Sequence, residues 1–188
     1  MSDAAWTPGP ADLALHWWRD LQDTRRDGSP NPRGDRAALA RLRRAEPVDA
    51  LTDEAVMDLY RRMFGPAFVA AKMKLAVRLA LVLAHVRENG KLRFGEALGE
   101  GGDNAPLKPL RFKRLLLAES EEEIIRQFRR AVDLAGDVAN VLDLARLLLD
   151  WTDPDRSEKT RTRLAFNYFG ARTAADDEGT TARSQSTA

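Results

Sequence analysis

Apolar residues recur at helical spacing along nearly the whole chain, and no segment shows the strict alternation of a half-buried strand. In residues 120–135, for example, Ile125, Phe128 and Val132 fall on one side of a helix. The helices predicted by this spacing cover residues 11–23, 35–45, 52–65, 66–89, a short segment around 108–114, 120–135, 137–151 and 156–169. The pattern therefore predicts an all-α protein.

Polar residues before several apolar runs predict where the helices start. Asp35, Thr52 and Asp137 each precede a helical pattern and are suited to capping it. Ser120 with Glu123 matches a capping box, and the neighbouring glutamates lie where a helix dipole favours negative charge. This acidic run is therefore interpreted as a helix start rather than as a catalytic or metal cluster.

A glycine-rich segment, residues 99–106, is the predicted boundary between two helical bundles. It lacks the Gly-Lys-Ser/Thr ending and the preceding strand of a phosphate-binding loop, so a linker is the better interpretation. The predicted organisation is an N-terminal bundle at 1–98, the linker at 99–106, a C-terminal bundle at 107–172 and a disordered tail at 173–188. The tail is small and polar, which is typical of disorder.

Arginines and lysines gather on the polar faces of several predicted helices. Arg129 and Arg130, together with Arg126, lie opposite the apolar stripe of helix 120–135. Another helix, 35–45, carries Arg43 and Arg44 away from its own stripe. Lys108, Arg111 and Arg114 recur every three residues and would share one side of a short helix. Taken alone, each cluster also fits a solvated helix face with carboxylate partners.

Composition agrees with a folded protein that does not insert into membranes. The 188 residues are 44% hydrophobic and 31% charged, with a net charge of +1 and no cysteine. The longest apolar stretch is shorter than the roughly 20 residues of a membrane span. The N-terminus shows no secretory signal pattern, and the lack of cysteine is compatible with a cytoplasmic location.

No arrangement of side chains predicts catalysis, a metal site or a cofactor. His16 and His85 lie on separate predicted helices without a second ligand at i+3 or i+4. A Gly-x-Ser-x-Gly nucleophile elbow is absent from the sequence. The tryptophans and Phe128 occupy apolar stripes, so they are predicted to be core residues rather than platforms for stacking bases.

The order of these features resembles the CasB family, the small subunit of the type I-E Cascade CRISPR surveillance complex. The motifs that carry the resemblance are Leu15-x-Trp17-Trp18, Leu42-Arg43-Arg44-x-x-Pro47, Phe94-Gly95-x-Ala97-Leu98, Arg111-Phe112-x-x-Leu115-Leu116, Arg129-Arg130 and Leu144-Ala145-x-Leu147-Leu148-x-x-Trp151. Each motif is weak by itself, whereas their joint order and spacing are fairly specific.

The resemblance implies a non-catalytic subunit built from two helical bundles and present as two copies in its complex. Its partners would be the other Cascade subunits, the crRNA and the target DNA, including the displaced strand of the R-loop. The predicted nucleic-acid-binding residues are Arg43, Arg44, Lys108, Arg111, Arg114, Arg129, Arg130 and Arg156. The assignment of Lys108, Arg114 and Arg156 is based on helical geometry, and that of the other five residues is based on the motifs. Arginines on rigid helices suit contacts with phosphates, while base pairing supplies specificity.

Three other functions remain open. A free-standing helical nucleic-acid-binding protein would use the same arginines without other subunits, and a helical adaptor would pair them with acidic partner proteins. The third alternative, an enzyme with a cryptic site, has the least support from the residues. Co-purification with a large RNA-containing complex would distinguish the Cascade subunit from all three.

Overall fold

A computed structural model describes residues 8–22, 29–32 and 34–185, with 173–185 described by their backbone alone. The described part contains ten α-helices, a short 3-10 turn at Gly102–Asn104 and two strands of two residues each. The helices are α1 (Pro10–Leu21), α2 (Arg36–Arg44), α3 (Pro47–Ala50), α4 (Glu54–Phe64), α5 (Ala70–Leu83), α6 (Phe94–Gly99), α7 (Pro109–Leu116), α8 (Glu121–Leu134), α9 (Val141–Asp150) and α10 (Ser157–Gln185). The all-α prediction is confirmed.

The chain divides into two compact units, Met1–Ala84 and His85–Ala188. The glycine-rich segment 99–106 was predicted to separate two bundles, but it lies inside the second unit. Its 3-10 turn packs against α10, and Ala105 and Leu107 beyond the turn are buried. The segment is therefore a folded turn of the second unit. The helical backbone of α10 also extends to Gln185, across most of the segment predicted to be a disordered tail.

Helix α5 supplies the core of the first unit. Residues 76–84 are all buried, and α2, α3 and α4 pack against this helix. On α1, the Trp17 indole donates a hydrogen bond to the carbonyl of Ala55, 2.9 Å away, which fixes α1 beside the start of α4. The predicted helix at 66–89 is shorter in the structure because residues 66–69 form an irregular loop and the chain leaves the helix after Leu83.

Two of the predicted helix caps are confirmed. The carboxylate of Asp35 accepts a hydrogen bond from the backbone N–H of Ala38 at 2.8 Å. The Ser120 hydroxyl accepts one from the N–H of Glu123 at 3.2 Å, and three glutamates occupy the first turn of α8. Both side chains satisfy donors that a helix start would otherwise leave without partners.

The other two predicted caps were wrong by a few residues. Asp53, not Thr52, caps α4 by accepting a hydrogen bond from the N–H of Ala55 at 2.9 Å. Asn140, not Asp137, caps α9. Asp137 instead adopts a left-handed conformation with φ of 63°, because the chain turns there into a strand before the helix begins. That strand, β2 (Val138–Ala139), pairs in parallel with β1 (Glu88–Asn89).

Helix α6 lies directly against the backbone of α10 in the second unit. Gly95 and Gly99 are one turn apart on α6, and both are buried. A Cβ atom added to Gly99 would lie 2.2 Å from the carbonyl oxygen of Tyr168, and one added to Gly95 would lie 2.7 Å from that of Leu164. Only glycine permits this separation of the two helices.

The close approach of α6 places Tyr168 at the centre of the second unit. Its ring stacks on Phe112 of α7, with centroids 3.8 Å apart and ring planes 6° from parallel. Its buried hydroxyl donates a hydrogen bond to the carbonyl of Leu107 at 2.6 Å. Burial raises the pKa of this phenol, so it remains a protonated donor.

The end of α7 is held by a second residue of α10. The guanidinium of Arg161 donates hydrogen bonds to the carbonyls of Leu116 and Ala118, the second at 3.3 Å. It also lies over the Trp151 ring, 4.5 Å from the ring centroid. Burial lowers the pKa of Arg161, against the opposing effect of Glu119. This arginine therefore fixes the structure of the second unit and is not available as a surface cation.

We predict that Gly99→Ala lowers the free energy of unfolding by about 3 kcal/mol, because the new methyl group would overlap backbone atoms that cannot rotate away. Urea denaturation followed by circular dichroism measures this. Gly170→Ala is the matched control, since nothing lies within 4 Å of its added Cβ, and it should leave stability unchanged or raise it slightly. Equal effects of the two substitutions would contradict the close helix contact.

We also predict that Arg161→Ala lowers the free energy of unfolding by about 2 kcal/mol, because two carbonyls lose charged donors and Trp151 loses its cation. The control is Lys159→Ala, which removes an exposed cation from the same helix. Thermal denaturation of both variants tests the prediction. If the two melting temperatures fall equally, the contacts of Arg161 contribute nothing particular to stability.

Candidate nucleic-acid interface

Helix α7 displays three of the predicted cations. Phe112 and Leu115 are buried and anchor the helix, while Arg111 and Arg114, each one position earlier, are exposed. Within the described part of the chain, no carboxylate forms an ion pair with either arginine. Lys108 is the N-terminal capping residue of the helix, and its ammonium group donates to the backbone carbonyl of Asp103. Arg111 and Arg114 can thus offer their full charge to an external anion.

Helix α8 exposes Arg130 and buries part of Arg129. The buried stripe consists of Ile124, Ile125, Phe128, Ala131 and Val132. Arg130 lies opposite this stripe and is exposed, whereas Arg129 lies next to it in the helical projection and is half-buried. The sequence prediction placed both arginines on one polar face. The structure assigns Arg129 to the margin of that face.

Arg126 shares the outer face of α8 with Arg130. Its side chain is 72% exposed, and Glu123 lies 4.0 Å away at the limit of an ion pair. An exposed pair of this kind contributes little to stability, so it leaves the arginine able to exchange partners. Arg126 therefore extends the positive face of α8 by one turn towards its start.

The two arginines of α2 differ in their environments. Arg43 is half-buried, and its Nε donates to the carbonyl of Ala84 at 2.7 Å, just beyond the last residue of α5. A cation at this place satisfies a terminal carbonyl and suits the negative end of the helix dipole. Arg44 is exposed but borders an open depression of about 560 Å³ that carboxylates also line, among them Asp49 and Glu54. Neither residue forms a purely basic surface.

Arg156 and Arg41 show how nearby carboxylates reduce the charge available to an anion. Arg156 is 68% exposed, but it lies 3.3 Å from the carboxylate of Asp150. Arg41 pairs with Asp53 at 3.1 Å, and this hydrogen bond raises the pKa of Arg41. In both cases an anion would have to compete with a carboxylate already in place.

Several exposed cations escaped the sequence prediction. They have no carboxylate partner among the described residues, and they include Lys91, Arg93, Lys113 and Arg146. Lys91 and Arg93 lie between β1 and α6, and Arg146 lies on the outer side of α9. Helical periodicity could have found Lys113 and Arg146, whereas it carries no signal for Lys91 and Arg93 in an irregular segment.

The remaining candidates from the sequence are the aromatic residues and the two histidines. Trp17, Trp151 and Phe128 are buried, as predicted for core aromatic residues, while Trp6 lies outside the described residues. His16 is exposed, and His85 lies with Nδ1 2.9 Å from the carboxylate of Asp133. Across residues 8–22, 29–32 and 34–172, no three or more His, Cys, Asp or Glu side chains are grouped so that they could hold a metal ion. No helix in that part of the chain has the length and apolar character needed to cross a membrane.

Comparison with known proteins identifies the family of this chain. Residues 38–169 match the family model of the CRISPR-associated protein Cse2, and this match includes every residue of the candidate interface. No curated protein and no solved structure matches the chain significantly. Because the match covers well over half of the sequence and agrees with the resemblance to CasB, the chain belongs to the Cse2 family of small subunits of CRISPR Cascade complexes.

Proposed function

We propose that this Cse2-family protein is a non-catalytic subunit of a type I-E Cascade complex that binds nucleic acid through the exposed arginines of α7 and α8. It acts on the duplex of guide RNA and target DNA and on the displaced DNA strand. Its contacts stabilise the R-loop during antiviral defence in the cytoplasm. Its partners are the other Cascade subunits, the crRNA, the target DNA and a second copy of the chain.

The observation that carries this proposal is the exposure of Arg111, Arg114 and Arg130 without carboxylate partners in the described structure. Arg111 and Arg114 lie on α7 and Arg130 lies on α8, and both helices are packed against the core of the second unit. Phe112 anchors α7 by stacking on Tyr168, and Phe128 anchors α8 with its ring edge-on to Trp151 at 4.8 Å. Arginines on rigid helices lose little conformational freedom when they bind phosphates, which favours contacts that do not depend on sequence.

A few such contacts would be sufficient for the proposed role. Formation of an R-loop exchanges one duplex for another of similar stability, so small contributions from protein contacts can decide the outcome. If each charge-assisted contact contributes about 1 kcal/mol, four contacts would change the equilibrium by about a factor of 1000. These contacts would stabilise the opened target rather than select its sequence.

Protein partners would occupy other parts of the surface. Leu110 and Leu117 lie near the two ends of α7 and are 64% and 62% exposed. Exposed apolar side chains beside a polar face are suited to packing against neighbouring subunits. Co-purification of the chain with an RNA-containing complex would separate the proposed role from that of a free-standing nucleic-acid-binding protein or an adaptor.

We predict that replacing Arg111 and Arg114 together by alanine weakens target binding by the reconstituted complex. The slope of log affinity against log salt should become shallower by up to about 1.8 for contacts with duplex, or about 1.4 for contacts with a single strand. Discrimination against mismatches should remain, because base pairing supplies it. Binding assays over a salt series measure both effects. The same direction is expected for Arg129 with Arg130 and for Arg43 with Arg44. Both changes should be smaller, because Arg129 and Arg43 are half-buried and Arg43 already donates to the carbonyl of Ala84.

The matched control replaces Arg41 and Arg87 by alanine. This change removes the same net charge, but the two arginines already pair with Asp53 and Asp137 at 3.1 and 3.0 Å. Loss of exposed ion pairs costs little stability, so the control should assemble and bind nearly as wild type does. If the Arg111 and Arg114 variant assembles normally and binds with the wild-type affinity and salt slope, the proposed interface on α7 is wrong.

A further inference from the structure

A chemically reactive dipeptide lies at the end of β1 in the second unit. Asn89 is exposed and is followed directly by Gly90, and no other asparagine of the sequence precedes a glycine. An asparagine before glycine is prone to lose its side-chain amide, because glycine has no Cβ atom to keep its backbone nitrogen away from the asparagine Cγ atom. The second unit therefore carries a step at its surface that can change chemically without an enzyme.

The fold uses both residues of this dipeptide. The side-chain oxygen of Asn89 accepts a hydrogen bond from the N–H of Val141 at 2.9 Å, and Val141 is the first residue of α9. That donor would otherwise lack a partner at the start of the helix. A Cβ atom on Gly90 would lie 3.1 Å from a methyl carbon of Val138 and 3.4 Å from the carbonyl carbon of Ala139, so glycine lets β1 close on β2. Asparagine and glycine are therefore adjacent here because each has a structural role.

The folded structure occupies both of the groups that would react. The N–H of Gly90, which must lose its proton before the nitrogen attacks, donates to the carbonyl of Ala139 at 2.9 Å. The Asn89 amide, which must turn towards that nitrogen, is held by the N–H of Val141. Neither group can react while its hydrogen bond persists. Reaction therefore requires β1 to separate from β2 and from the start of α9.

The pairing of β1 with β2 is small and lies at the surface. Each strand has two residues, and both residues of β1 are exposed. The side chains of Arg87 and Asp137 form an ion pair beside the strands at 3.0 Å, but Arg87 is 70% exposed, so the pair contributes little to stability. So short a pairing separates at a lower cost in free energy than the unfolding of the whole unit. The strands therefore open locally while the helices remain folded.

We propose that the Asn89-Gly90 step is a modification site that stays latent while β1 and β2 are paired and deamidates when they separate. The Gly90 nitrogen forms a bond to Cγ of Asn89 and gives up its proton to solvent. The bond from Cγ to Nδ2 breaks, and Nδ2 takes a proton and leaves as ammonia. Water then opens the five-membered ring on one side or the other, which leaves aspartate or isoaspartate at position 89. Water is the one co-reactant, and nothing is oxidised or reduced.

The two products affect α9 differently. Aspartate leaves the main chain unchanged and places a carboxylate at the N–H of Val141, where the helix dipole favours negative charge. Isoaspartate instead routes the main chain through Cβ and Cγ of residue 89, which lengthens the backbone by one atom. This displaces the N–H of Gly90 from Ala139 and the acceptor of residue 89 from Val141. Isoaspartate therefore separates β1 from β2 and removes a hydrogen bond from the start of α9, whereas aspartate does neither.

The experiment incubates the full-length protein at mildly alkaline pH and follows deamidation by mass spectrometry. The protease Lys-C cleaves after Lys74 and Lys91, and the resulting fragment 75–91 contains Asn89 as its only side-chain amide. Its gain in mass therefore reports this site alone. A synthetic peptide of residues 85–93 gives the rate without the fold. Deamidation of the folded protein should be at least about tenfold slower than that of the peptide. It should accelerate in urea concentrations that leave the circular dichroism unchanged, because the opening is local.

Val141→Pro tests the hydrogen bond that holds Asn89. Proline suits the first position of a helix, and Asn140 already has the extended backbone that a following proline requires. The loss of the N–H should make deamidation about fivefold faster. Val141→Ala is the matched control, because it keeps the N–H while removing more of this fully buried side chain than proline does. Its rate should remain near that of the wild type.

Thermal denaturation tests the consequence for α9. The melting temperature of incubated protein should fall in proportion to the isoaspartate content of fragment 75–91, whereas Asn89→Asp should melt as the wild type does. Equal deamidation rates in the folded protein and the peptide would overturn the proposal. So would equal acceleration by the two substitutions at Val141, or an isoaspartate content that leaves the melting temperature unchanged. None of these outcomes depends on nucleic-acid binding by the arginines of α7 and α8.

Discussion

The close contact between α6 and α10 is the constraint on which the second unit depends. Two glycines one turn apart allow the backbones of these helices to touch, and side chains of α10 then fix the rest of the unit. Tyr168 stacks on Phe112, and Arg161 donates to the carbonyls of Leu116, the last residue of α7, and Ala118 while it covers Trp151. Side chains of α10 therefore hold α7 at Phe112 and at its C-terminal end. The positions of Arg111 and Arg114 on α7 therefore depend on α10, and the position of α10 depends on its contact with Gly95 and Gly99 of α6.

The positive charge that each surface of this protein offers to an external anion depends more on ion pairing than on composition. The net charge is +1, yet some arginines are matched by carboxylates within the described structure and others are not. Arg62, for example, lies 2.6 Å from Asp20 and 2.9 Å from Asp58. Arg111 and Arg114 have no such partner among the described residues. A nearly neutral chain can therefore present local positive surfaces, which suits a subunit that must contact phosphates on one side and proteins on others.

The basic residues also divide into those that build the fold and those that remain available for binding. Arg161 and Arg43 each donate to backbone carbonyls near a helix end, and their charges are used within the protein. Arg130 and Arg114 project from helices whose opposite faces are buried. These two groups look alike in the sequence because each arginine occurs beside an apolar stripe. They differ only in whether another element passes close enough to accept their hydrogen bonds.

The sequence by itself determined the helical class, the family and the side of each helix that is buried. These properties depend on local spacing, and the caps formed by Asp35 and Ser120 likewise depend on residues three positions apart. Exposure of Arg111, Arg114 and Arg130 also follows from helical periodicity, and the structure agrees.

Only the tertiary structure decided which contacts join residues that are distant in the chain. It placed Arg43 against Ala84, 41 positions away, and folded the glycine-rich segment 99–106 into the second unit against α10. It also revealed the exposed ring of Phe68, because the hydroxyl of Tyr60 holds the loop open where the apolar pattern predicted a continuous helix. Sequence periodicity describes one helix at a time, whereas pairing and burial at these positions depend on the elements packed beside them.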